Sequence, residues 1–219
     1  MTLKLYAHPF SSYCQKVLIA LYEEGIPFSL HVLEPGNAEA MAEFGALWPL
    51  KRMPVLVDGE ETVVESSIII EHLALKHPDR LRLIPADPRR ALDVRFMDRV
   101  FDNYIMAPMQ RIVADQLRAP AARDPHGVMA ARALLTTSYG WLEARMGTRS
   151  WAAADTFSLA DCAAAPALFY ADWTHRIAEE FGNVRAYRAR LLSHPSVQRA
   201  VDEARPYRSL FPLGAPDRD

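Results

Sequence analysis

The sequence predicts a small α/β domain followed by an all-helical one, and three observations carry that expectation. The first 78 residues alternate between stretches of period two and stretches of helical period, in the order β-α-β and then β-β-α. Residues 78–88, PDRLRLIPADP, hold three prolines and no periodicity, as a linker would. Beyond them the strand signal disappears. The expected division is 1–78 for the α/β domain, 79–88 for the linker and 89–219 for the helical domain.

Each element has its own local reason. In LKLYAH (3–8), Leu3 and Leu5 fall on one face, with Lys4 and Tyr6 on the other, as in a strand. From Ser12 to Glu24 the apolar residues Cys14, Val17, Leu18 and Leu21 recur at helical spacing, and Gly25 stands where a glycine ends a helix. Pro27 precedes a second strand, FSLHVL (28–33), and the connection is long enough for a right-handed crossover to a parallel pair. Residues 35–50 are irregular or carry a short helix. VLVD (55–58), the Asp58-Gly59 turn pair and TVVE (62–65) read as a hairpin. SSIIIEHLALKHP (66–78) then reads as a helix capped by Ser66 or Ser67 and stopped before Pro78. In the second half, 89–118 is one long amphipathic pattern, with a kink expected at Pro108. Asp124-Pro125 opens a helix to about Met146. SLAD (158–161) is a capping box with Asp in the place of Glu, and two shorter helices begin at Asn183 and around 193–195.

Composition bounds the function. Half the residues are hydrophobic and 24% are charged, enough for a proper core. The net charge is −2 with the signs interspersed, so no basic field points to nucleic acid or an anionic membrane. The start, MTLKLYAHPF, is too short and polar for a signal peptide, and no apolar run reaches roughly 18 residues. Cys14 and Cys162 stand far apart with no metal ligands near them in sequence. No disulfide framework and no metal site is expected, and a reducing, cytoplasmic location is.

The chemistry gathers at HPFSSYCQKV (8–17), a strand-to-helix corner. Free N–H groups at a helix start stabilise an anion such as a thiolate. Ser11-x-x-Cys14 has the spacing of a dithiol motif with serine at the attacking position, and a hydroxyl cannot form a mixed disulfide. It can donate a hydrogen bond to the thiol of a ligand. Cys14, on the apolar stripe, is expected to be buried and inert. The same Ser-Ser pair also reads as a plain helix cap. Met53-Pro54, directly before a strand, is a place where a cis bond can present the Met53 backbone to a ligand; a trans proline opening an edge strand is the alternative. Glu65-Ser66 pairs a carboxylate with a hydroxyl and helix-start N–H groups, which suits the ammonium and carboxylate of an amino-acid head. It too can be only a cap.

Taken together, HPFSSYCQKV, MPVLVDG, VVESS and SLADC resemble the cytosolic glutathione transferase family across nearly the whole chain. The resemblance implies a thioredoxin-like first domain with a cis-proline, an all-α second domain, glutathione as co-substrate, a small hydrophobic electrophile between the domains, and a homodimer. Carried over residue by residue, it implies Ser11 as the catalytic hydroxyl and Ser12 as the runner-up. It places the cysteinyl backbone of glutathione on Met53 before Pro54, the γ-glutamyl head on Glu65 and Ser66, and the glycine carboxylate on Lys51 or Arg52. Met53 departs from the β-branched residue usual there, and Trp48-Pro49 stands where family members often have Asn-Pro. Ser11-Ser12 also resembles the serine pair of the zeta-class isomerases, although Tyr13 stands where that class has cysteine. A third reading keeps the fold for protein contact without catalysis. Candidates to line the electrophile site are Tyr104, Met106, Met109, Arg111 and Trp173, with Phe10, Tyr13 and His8 near Ser11; core packing is the competing role for them.

Overall fold

The computed structural model describes residues 3–78 and 82–219. Residues 79–81 of the expected linker lie outside them. Strand β1 (Leu3–Ala7), helix α1 (Ser12–Glu23) and strand β2 (Phe28–Val32) form the crossover unit, with β1 and β2 parallel. Gly25 ends α1 at φ +59, a conformation that glycine adopts without steric cost. Helix α2 (Ala38–Leu47) lies within residues 35–50, as the short helix among the two expectations for that stretch. Strands β3 (Val55–Asp58) and β4 (Glu61–Val64) pair antiparallel around Gly59, and helix α3 (Ser66–Lys76) follows. The sheet order β2-β1-β3-β4, with the Met53-Pro54 bond cis, is the thioredoxin-like arrangement.

The cap of α3 differs from the expectation. Neither Ser66 nor Ser67 caps it; Glu65 holds the cap position at φ +70, and Ser66 is the first helical residue. The corner turns so sharply out of β4 that the backbone, not a capping side chain, sets where the helix starts.

The second domain contains α4 (Pro88–Val100), α5 (Ala107–Gln116), α6 (Pro125–Met146), α7 (Leu159–Thr174), α8 (Gly182–Leu192) and α9 (Pro195–Ala204). Between α4 and α5 the helix continues as a π-helical stretch, Phe101–Met106. Proline in a helix removes an N–H and its ring crowds the carbonyl four residues back. Here the backbone widens one turn upstream of Pro108, and the Ala107 N–H reaches the Asp102 carbonyl five residues back. Asp124 caps α6 by accepting from the Gly127 N–H at 2.8 Å. The SLAD capping box opens α7: Asp161 Oδ2 accepts from the Ser158 N–H, and Oδ1 accepts from the Ala152 N–H and the Tyr187 hydroxyl.

Helix α1 joins the two halves. Every residue from Cys14 to Leu21 is buried, because one side packs on the sheet and α3 while the other packs on α7 and α9. A helix enclosed all round buries even its polar residues, and Lys16 is fully covered. On the opposite face of the sheet, α2 encloses a smaller cluster of Tyr6, Leu33, Ala40, Phe44 and Val55. Leu83, just past the undescribed residues, is buried, and its carbonyl accepts from the Leu159 N–H. No helix among the described residues is long and apolar enough to cross a membrane.

Candidate active site

A cleft of about 780 Å³ opens where the N-terminus of α1 meets the second domain. Its first wall contains all the residues to which the resemblance gives a glutathione-binding role: Ser11, Ser12, Lys51, Arg52, Met53, Pro54, Glu65 and Ser66. Three backbone devices aim them. Ser11 is the N-cap of α1 in extended conformation, yet its side chain makes no capping hydrogen bond, so the hydroxyl is not used in closing the helix. The bond before Pro54 is cis, and Met53 and Pro54 both line the cleft. Lys51 and Glu65, at φ +50 and +70, are non-glycine residues in the left-handed region, and both line the cleft. Strained backbone of this kind persists where its surroundings fix it, and it concentrates at binding sites.

Cys14 is fully buried, as its place on the apolar stripe implied. Burial pushes its thiol up to about 11, against smaller opposing influences from the Ser11 hydroxyl and the His8 backbone. It is neutral at physiological pH and does not line the cleft.

The second wall comes from α5, α7 and the segment after α9, which continues through a 3₁₀ turn, Arg205–Leu210. Of the candidates named from sequence, Phe10, Tyr13 and Met109 line the cleft. Met106 is buried in the core, Arg111 pairs with Asp124 at the surface, and Tyr104 is exposed away from the cleft. Trp173 lies behind the wall, packed against Phe10 and Phe211. His8 shapes the loop: its Nδ1 accepts from the Phe10 N–H at 3.1 Å, and its ring packs edge-on against Tyr207. Burial lowers its pKa below the usual histidine value, with Glu34 opposing.

Several lining residues were not anticipated: Arg99, Asp102, Gln110, Tyr170 and Phe211. Tyr170 fixes the loop before Ser11. Its hydroxyl donates to the Phe10 carbonyl at 3.0 Å and accepts from Gln15 Nε2, which also donates to the Pro9 carbonyl. Gln110 Nε2 donates to Ser12 Oγ at 3.0 Å, joining α5 to the start of α1.

Charge in the cleft is mixed. Lys51, Arg52 and Arg99 face Glu65 and Asp102. Behind them the Lys16 ammonium sits 2.5 Å from Asp98 Oδ1 and 2.9 Å from Asp102 Oδ2, and donates to Ser67 Oγ at 2.9 Å. Burial, with Asp98 adding, raises the Asp102 pKa above the ordinary carboxylate range, while Lys16 and Arg99 oppose it. Its second oxygen, Oδ1, is buried without a hydrogen-bond partner among the described residues. Burial, followed by the nearby Asp102 charge, pushes the Tyr13 hydroxyl up to about 12, so it stays protonated. Such a cleft suits a ligand with both an ammonium and carboxylates at one end and an apolar body at the other.

The chain matches the family models described as glutathione S-transferase N-terminal domain over residues 5–81 and glutathione S-transferase C-terminal domain over 110–190. Glutathione S-transferase F6 of Arabidopsis thaliana is 25% identical over 206 residues, covering 91% of this chain and 99% of the relative. FtsZ-localized protein A of Caulobacter vibrioides is 27% identical over 201 residues, 87% of each chain. Among solved structures, a glutathione S-transferase from Methylobacterium radiotolerans in complex with glutathione sulfonate superposes with a TM-score of 0.79 at 29% identity, over 92% of this chain and 95% of that one.

Proposed function

Since this chain belongs to the glutathione S-transferase family, we propose that it binds glutathione along the first wall of the cleft and ionises its thiol for attack on a small hydrophobic electrophile. The observation that carries the reading is the N-cap Ser11, whose hydroxyl makes no capping hydrogen bond and shares a cleft with Met53-Pro54 and Glu65-Ser66. The γ-glutamyl carboxylate sits on the Ser66 hydroxyl and the free N–H groups of α3, and its ammonium lies beside the Glu65 carboxylate. The cysteinyl backbone pairs with Met53, and Lys51 or Arg52 takes the glycine carboxylate. The sulfur then lies at the N-terminus of α1 beside Ser11.

The magnitudes suffice. A free thiol has a pKa near 8.5, so only a few per cent is thiolate at about pH 7. A hydroxyl donor to the anion, at about 1.5–3 kcal/mol, and a helix N-terminus, at about 0.3–1 kcal/mol, lower it by roughly one to three units. The thiolate forms a carbon–sulfur bond while the electrophile loses a leaving group or takes up the electron pair at an activated double bond. Phe10, Tyr13, Met109, Val113, Tyr170 and Phe211 form the apolar half that receives it.

The test is an ultraviolet difference titration of bound glutathione. The wild type should show thiolate absorbance at neutral pH, and Ser11→Ala should raise the bound thiol's pKa by about one to two units. Absence of binding, or a bound thiol with an unshifted pKa, rejects the reading. It would then favour a non-catalytic interaction domain, which draws support from the likeness to FtsZ-localized protein A. The homodimer is part of the proposal. Ile68 and Leu75 on α3 and Leu92 and Phe96 on α4 are exposed apolar side chains on neighbouring helices, as a self-association face requires. Light scattering that finds the wild type monomeric at micromolar concentration would remove this part.

A further inference from the structure

We infer that Gln110 is a positioning residue for the thiol site: it holds the Ser12 hydroxyl as a second donor to the glutathione sulfur. The inference rests on the reading above, that glutathione binds along the first wall. Ser12 is the first residue of α1, is buried, and lines the cleft beside Ser11. A hydroxyl at this position in a helix ordinarily turns to its own backbone. Here its oxygen instead accepts from Gln110 Nε2, across 98 residues of sequence.

The direction of that bond decides the chemistry. With the Gln110 amide oriented as it stands, Nε2 toward Ser12, the nitrogen donates and Ser12 Oγ accepts, which leaves the Ser12 proton for another acceptor. The hydroxyl faces a cleft in which the proposed ligand brings an anionic sulfur to the start of the same helix turn. A hydroxyl already accepting a hydrogen bond is polarised and donates more strongly. Ser11 and Ser12 then play unequal parts: Ser11 is aimed by the backbone of its own corner, Ser12 by a side chain of the helical domain.

The location of Gln110 adds a second consequence. It stands on α5 between Ala107 and Val113, which line the apolar part of the cleft. The residue that orients Ser12 therefore borders the electrophile, so the state of the electrophile pocket reaches the thiol through one hydrogen bond.

The experiment is the same ultraviolet titration on the wild type, Gln110→Leu, Gln110→Glu, Ser12→Ala and the double variant Ser12→Ala/Gln110→Leu. A lost neutral hydrogen bond should lower the thiolate-to-thiol ratio of bound glutathione by about 3- to 10-fold in Gln110→Leu, a rise of about 0.5 to 1 unit in the bound thiol's pKa, with glutathione affinity in the protonated state little changed. Gln110→Glu should reduce it at least as much, because a carboxylate accepts the Ser12 proton and turns it away from the sulfur. In the Ser12→Ala background Gln110→Leu should have no further effect. A Gln110→Leu enzyme with an unshifted bound thiol, and only a raised KM for the electrophile, overturns the inference and makes Gln110 a wall residue. An equal shift in both backgrounds overturns it too, since the influence would not run through Ser12. If wild-type protein shows no bound thiolate, the proposed function falls and this inference with it; a shifted thiol in the wild type with silent Gln110 variants removes this inference alone.

Discussion

Replacing Lys16 by methionine should unfold this protein more readily than any surface change, and the geometry says by how much. Lys16 is fully buried at the junction of α1, α3 and α4, and its three protons meet Asp98, Asp102 and Ser67. Two cations, Lys16 and the half-exposed Arg99, balance two carboxylates, Asp98 and Asp102, so the cluster is neutral. Methionine fills a similar volume but leaves a net charge of −1, with both carboxylates buried. Breaking a buried ion pair by removing one partner costs about 3–5 kcal/mol, whereas removing the whole group can be nearly neutral. At about 2–4 °C per kcal/mol for a chain of this size, the melting temperature should fall by roughly 6–20 °C. Equilibrium urea denaturation, followed by the fluorescence of the four tryptophans, reads the same loss. The deficit should depend on pH with a definite sign. The Asp102 carboxyl already lies above the ordinary range, and losing Lys16 removes a charge that holds it down. A carboxyl raised in the folded state costs stability above its folded pKa and regains it as pH falls through that value. The gap between variant and wild type should therefore narrow as pH falls from neutral toward the ordinary carboxylate range. Replacing Lys16, Asp98 and Asp102 together by Met, Asn and Leu should recover most of the loss. A Lys16→Met protein within about 1 kcal/mol of wild type at neutral pH, or a deficit independent of pH, would refute the reasoning.

Two further outcomes follow from the same structure. Cys14, buried and with its thiol pushed up to about 11, should resist iodoacetamide in the native protein at neutral pH and react only in denaturant; mass-spectrometric detection of rapid native labelling at Cys14 would contradict its placement. Asp161→Asn keeps the shape of the α7 capping box but turns one acceptor oxygen into a donor facing either the Ser158 N–H and hydroxyl or the Ala152 N–H and Tyr187 hydroxyl. It should lose about 2–4 kcal/mol in urea denaturation, and a loss below about 1 kcal/mol would show that the box is dispensable.

The order of elements was legible because each announces itself within a few residues. Period two in LKLYA, the Asp58-Gly59 turn and the SLAD box depend only on neighbours in sequence. Two features escaped for a common reason: a local preference gave way to a neighbouring element. Serine is a favoured cap, yet the exit from β4 puts Glu65 at the cap of α3 with φ +70. Pro108 correctly signals a disturbed helix, but the backbone relieves it upstream, in the π stretch at Phe101–Met106. That widened turn carries Asp102 and Asn103 into the cleft, which no periodicity count would have shown.

The two walls of the cleft differ in legibility because they are built differently. On the first wall, backbone conformation aims the groups: an N-cap, a cis bond, two residues at positive φ. Only certain residue types tolerate or exploit such positions, so the sequence carries their mark within residues 11–66. On the second wall, side chains of ordinary helices do the work. Tyr170 lines the cleft and Trp173, one turn further along α7, lies behind it in the aromatic cluster, and nothing in their spacing tells them apart. Phe211 arrives from the end of the 3₁₀ turn beyond α9, outside any of the amphipathic helices. A residue on this wall can change size or polarity without altering any backbone device. Gln110 belongs to the second wall yet acts on Ser12 in the first. Under the proposed function, the wall that receives the electrophile therefore also touches the thiol, and substitutions made to broaden substrate choice on α5 should be checked for their effect on thiol ionisation before any gain is credited to the pocket.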